Sequence, residues 1–127
     1  MLPAVKRLAA VLLLVTALSG CATPPRDEWT QADTRRQLFY GLALAGDAYT
    51  TARISRTPGL YEGNRIAAAV IGEQPKPADA WKGAVLVGVA HYLIAKRMKA
   101  NRRKVWQYVG VGVHTLATGH NCGNGLC

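Results

Sequence analysis

Asp47, His91 and His114 each stand near the middle of an otherwise apolar stretch, and Asp47 is followed closely by Thr50 and Thr51. Carboxylate and imidazole are competent bases and metal ligands, so one chemistry open to this set is the handling of protons or of a metal ion. The other is structural. A lone ionised carboxylate is costly to bury, so Asp47 needs a partner, and His91, His114, Arg53 or a nearby hydroxyl can supply one. No His-Glu-x-x-His or comparable ligand spacing is present, which favours a satisfied polar network of Asp47, Thr50, Thr51, His91 and His114 over a metal site.

Two further groups have chemical potential. The tail HNCGNGLC separates Cys122 from Cys127 by four residues that include two glycines, the spacing of a small disulfide loop pinning the chain end. His120 with Cys122, Cys127 and His114 is the competing metal reading of the same tail, although it matches no standard spacing. Lys96, Arg97, Lys99, Arg102, Arg103 and Lys104 crowd into nine residues beside Trp106. Such a cluster is expected to contact an anionic surface, each cation contributing ~1 kcal/mol near a charged bilayer, with a solvated hairpin tip as the plainer alternative. Catalytic signatures are missing: there is no Gly-x-Ser-x-Gly, no Ser-x-x-Lys and no glycine-rich phosphate loop after a strand. A non-enzymatic protein is therefore expected, with no catalytic residue, metal or cofactor assigned.

The elements that must carry these residues read as helices. Thr30 and Asp33 have the spacing of a capping box for a helix that continues until Pro58-Gly59 closes the stretch after Arg56. YEGNRIAAAVIGEQPKP reads as one or two helical turns within ordered loop, since Pro75 and Pro77 stop any helix from crossing into the next element. Asp79 is a plausible N-cap for WKGAVLVGVAHYLIAKRMKA, and Asn101 marks the turn before RRKVWQYVGVGVHTLATG. Valines with Gly110 and Gly112 make a strand the competitor in that last segment. The expected fold is mainly α, a domain over residues 30–127 of about three helices ending in a helical hairpin.

These helices fall short of a membrane span. Gly83 to Ala95 is free of charge for only thirteen residues, and Val105 to Gly119 holds Gln107, His114 and two threonines, whereas a crossing takes ~20 apolar residues. A compact helical domain is thus preferred to a membrane-embedded bundle.

Ahead of the domain, Lys6 and Arg7 precede an apolar run of signal length that ends at Leu18-Ser19-Gly20-Cys21. That run resembles the lipobox of bacterial lipoproteins. The resemblance implies that residues 1–20 are a signal peptide removed before Cys21, and that Cys21 carries covalent lipid, so that several acyl chains anchor the protein to a membrane. Ala22 in place of aspartate implies the outer rather than the inner membrane, with the domain facing the periplasm. Residues 21–29 form the tether, extended by Pro24-Pro25.

Without residues 1–20 the chain has 107 residues, enough for one small domain, and a net charge of +7. In an envelope the matching partners are acidic lipid, lipopolysaccharide or an envelope protein, and nucleic acid is not expected. The leading expectation is a lipid-anchored envelope protein with a structural, accessory or binding role. A small helical membrane protein handling a metal or protons through Asp47, His91 and His114 is the alternative.

Asp47-x-x-Thr50-Thr51, Tyr61-Glu62-x-Asn64 and Gly72-x-x-Pro75 are also similar to motifs shared by a group of small bacterial helical proteins, with Arg65 where the group has proline. That similarity implies no activity. Residue chemistry gives Glu62 and Asn64 a loop-ordering role.

Overall fold

The computed structural model describes residues 27–127. Cys21 and the residues expected to form the signal peptide and the start of the tether lie outside the described residues. Four helices follow one another: α1 (Gln31–Thr51), α2 (Arg65–Ile71), α3 (Pro77–Arg97) and α4 (Ala100–Gly123), with a 3-10 turn over Ile54–Arg56. The domain is mainly helical, as expected, and among the described residues there is no strand.

The start of α1 is fixed locally. Thr30 Oγ1 accepts from the Asp33 N–H at 3.2 Å, and the Asp33 carboxylate accepts from the Thr30 N–H at 2.9 Å, which closes the expected capping box. The end of α1 comes earlier than the sequence suggests. The helix stops at Thr51, where the β-branched pair Thr50-Thr51 turns its hydroxyls back on the preceding turn, and only the short 3-10 turn continues to Arg56.

α2 is the expected short helix, opened by Asn64, whose side-chain oxygen accepts from the N–H groups of Ile66 and Ala67. Glu62 accepts from the Asn64 N–H at 2.8 Å, so both residues order the loop as their chemistry implies. Gly72, at φ 93°, ends the helix in a backbone conformation that suits glycine.

Two boundaries differ from expectation. Asp79 is not the N-cap of α3: Lys76 is, because Pro77 occupies the first helical position with its φ already suited to a helix, and Asp79 falls in the first turn. Asn101 is not the turn between the last helices either. The break is at Met98 and Lys99, both extended, and the Asp27 carboxylate reaches over to accept the Ala100 N–H. The valine-rich segment is helical because Arg103, Gln107, Gly110, His114 and Thr118 recur at helical spacing and all meet α1 or residues that contact it.

α1 is the central element and packs along α4 and, less extensively, along α3; α3 and α4 touch little beyond their connection. Glycines allow the close approaches. A Cβ at Gly110 would lie 2.7 Å from the Tyr40 ring, and one at Gly88 would lie 3.2 Å from Leu44. The resulting interior is unusually polar. Arg103, Gln107, Thr50 and Asp33 rank with Tyr40 among the largest fully buried side chains, while Leu38, Phe39, Leu42, Val85, Val109 and Leu116 are exposed. No helix among the described residues is long and apolar enough to cross a membrane.

Candidate functional site

The polar interior divides into two linked clusters. The first surrounds Arg103, which the sequence places in the basic tract and the structure turns fully inward. Its guanidinium donates to the Asp33 carboxylate at 2.8 Å and to the carbonyls of Glu28, Asp27 and Met98. Arg36 bonds the other Asp33 oxygen, and Trp29 lies 5.3 Å from the Arg103 guanidinium carbon. Burial pushes the Asp33 carboxyl upward, but hydrogen bonds from Thr30 and Arg36 and the nearby Arg103 charge outweigh it and hold Asp33 at about 2. The planar fork of arginine suits this junction, since one side chain ties α1, the α3–α4 connection and residues 27 and 28 together.

Arg103 is therefore removed from the surface-binding set. Lys96, Arg97, Lys99, Arg102 and Lys104 remain exposed around the same end of the molecule. Lys96 lies over Trp29 and Tyr92, whose rings meet edge to face at 5.3 Å, so aromatic rings and cations share this end.

Gln107 connects the two clusters. It accepts from Arg36, donates to the Asp33 carbonyl and to Gln37, and Gln37 in turn meets His91 Nδ1 at 3.3 Å. His91 is stacked between Tyr40, at 3.6 Å between centroids, and Trp106, at 5.0 Å. Its Nε2 is buried without a hydrogen-bond partner and faces the Gly110 backbone and the Tyr40 ring. Burial holds the His91 imidazole below its ordinary range.

Beyond Tyr40 comes the second half of the expected network. His114 Nδ1 meets Asp47 Oδ2 at 2.7 Å, both side chains being half-buried rather than buried as expected, and Thr51 donates weakly to the other carboxylate oxygen. Thr50 donates to the Asp47 carbonyl and accepts from Asn121 at 2.9 Å. The Tyr40 ring packs edge-on to His114, and its hydroxyl is pushed up to about 12 by burial and by the Asp47 charge. The expected residues thus do gather at one level of the bundle, but around Tyr40 rather than around a common centre. The ring separates His91 from the Asp47–His114 pair. Among the described residues no three His, Cys, Asp or Glu side chains are grouped to hold a metal ion.

Cys122 and Cys127 are bridged, with 4.8 Å between their Cα atoms. Gly125, at φ 80°, makes the turn, Leu126 is buried, and Arg53 donates to the Cys127 carbonyl. The tail thereby joins the ends of α1 and α4. His120 contacts Asn124 and not the cysteines.

Reading the sequence alone misses Tyr40, Asp33 and Trp106 as members of this interior. Tyr40 carries a findable signal, lying seven residues before Asp47 on the same helical face. Compared with family models, with curated proteins and with solved structures, the chain matches none.

Proposed function

We propose that this chain is a lipid-anchored bacterial envelope protein with a non-enzymatic structural, accessory or binding role, whose basic helical end contacts an anionic surface. The observation that supports the reading is where the tether joins the domain. Asp27 and Glu28 are clasped by Arg103 at the end that exposes Lys96, Arg97, Lys99, Arg102 and Lys104. Only five residues separate Cys21 from Asp27, a reach of about 20 Å at full extension over the six steps between them. Lipid on Cys21 would hold those five cations near acidic head groups or lipopolysaccharide phosphates, no farther than about two to three Debye lengths at physiological salt even with the tether fully extended. Ala22 after the cysteine supports the outer membrane, with the domain in the periplasm.

The test is intact mass and membrane fractionation of the wild type beside Cys21→Ser, expressed in a bacterium. The expected result is a lipid-sized mass increment on a chain that begins at Cys21, lost in the variant. A wild type of unmodified mass overturns the anchor. For the role of the cations, Lys96, Arg97 and Lys99 changed to Gln should weaken retention on anionic vesicles, and unchanged retention would remove the surface-contact role.

A further inference from the structure

The apolar side chains that this fold leaves outside are not scattered. On the side of α1 and α4 that faces away from α3, Phe39, Leu42 and Ala43 share a groove with Tyr108, Val111 and Thr115. Leu42 is 70% exposed and Phe39 63% exposed, and Val105 and Leu116 extend the same apolar surface along the outside of α4. Continuous apolar surface of this kind on a small domain marks an interaction site.

The rim of the face is cationic. Arg35 and Arg36 line one end of the groove, Arg36 lies 6.0 Å from the Tyr108 ring centre, and Lys104 is exposed at the same end. A second copy would bring a surface of the same net sign against these charges, whereas an anionic lipid surface complements them. The dimensions also fit a lipid surface. Val105 to Leu116 covers about 17 Å of helix, too short to cross the ~30 Å hydrocarbon thickness of a bilayer, so the face can lie along the surface of one leaflet and cannot span both.

We infer that the outer face of α1 and α4 docks side-on into an anionic lipid leaflet, with Phe39, Leu42, Tyr108 and Leu116 in the acyl boundary and Arg35 and Lys104 at the head groups. The inference rests on the envelope reading only for the presence of such a leaflet; it uses no lipid on Cys21. It deepens that reading by assigning the contact to a face as well as to the basic end.

The test uses the full chain carrying Cys21→Ser. With Cys122 and Cys127 bridged, Leu42→Cys then offers one reactive thiol for an environment-sensitive dye. Glu73→Cys, on an exposed loop, and Val85→Cys, on the outside of α3, carry the same dye. Vesicles of phosphatidylglycerol and phosphatidylethanolamine should raise the emission of the Leu42 label about threefold and expose it to quenching by acyl-chain nitroxide lipid, as for an interfacial helix. The Glu73 and Val85 labels should not respond. A Leu42 label equally open to aqueous iodide with and without vesicles overturns the inference. Quenching at Val85 in place of Leu42 overturns the assigned face. Protection of Leu42 that grows with protein concentration and needs no vesicles identifies a second copy as the occupant and overturns the lipid assignment. Intact mass of the wild type reports separately on the anchor, so a chain without lipid whose Leu42 label enters the acyl layer removes only that reading.

Discussion

Two titrating groups in the interior make opposite use of burial. Asp33 is held at about 2 in the folded chain against 3.8 when unfolded, so the unfolded chain binds more protons between those values. Stability from this group is complete above the unfolded value and is lost as the pH falls from 3.8 towards 2, a loss of about 2 kcal/mol. Urea unfolding of the wild type over that interval should show the decline, and Asp33→Asn should remove it while lowering stability at neutral pH, since Arg103 is left buried without its counter-ion. For His91 the folded imidazole is the weaker base, because burial resists its charge. As the pH drops below about 6.5 the unfolded chain takes up a proton that the folded chain refuses, so stability falls with acidification. His91→Phe keeps a ring between Tyr40 and Trp106 and should flatten that part of the pH profile. A profile that keeps the same slope in this variant would assign it to another group.

At the scale of elements, two glycines of α4 separate packing from propensity. A Cβ at Gly110 would meet Tyr40 at 2.7 Å and His91 Nε2 at 2.9 Å, so Gly110→Ala should lower thermal stability by about 1–3 kcal/mol despite alanine's preference for helix. Gly112 has nothing within 4 Å of the same atom, and Gly112→Ala should raise stability by up to about 1 kcal/mol. Melting curves of the pair decide it, and equal effects would mean that Tyr40 and His91 are not packed against α4. The elements themselves were largely legible: the Thr30–Asp33 capping box, the short helix between proline-marked loops and the long apolar segments each follow from local chemistry. Less legible were the boundaries at Lys76 and Met98. The first turns on proline at a helix start, and the second on an Asp27 carboxylate that lies 73 residues from the N–H it accepts. Arg103 could not be separated from its five basic neighbours by composition, because the carboxylate that draws it inward is 70 residues away. His91, Thr50 and Thr51 were legible as buried polar groups, but neither the partial exposure of Asp47 and His114 nor the ring that parts them from His91 was.

For the whole molecule, two tie points stand out, one at the Cys122–Cys127 tail and one where residues 27 and 28 meet the helices. The bridge between Cys122 and Cys127 closes a short loop and is worth about 2 kcal/mol by chain entropy. Reduction should lower the unfolding free energy by that amount and expose Leu126, measurable as faster proteolysis of the last residues; an unchanged midpoint would show that the contacts of Leu126 and Arg53 suffice. At the other end, Arg103→Lys keeps a charge but cannot reproduce contacts with Asp33 and three carbonyls at once. It should cost about 3 kcal/mol or more and release residues 27–30 to protease, the loss typical of a broken buried pair.

That clasp also has a mechanical meaning. A pull applied upstream of Asp27 does not reach α1 first through its capped first turn. It loads the Arg103 fork, which shares the force between α1 and the α3–α4 connection. Residues 27 and 28 are held like a bracket bolted at its base: a load on them is spread across α1, α3 and α4.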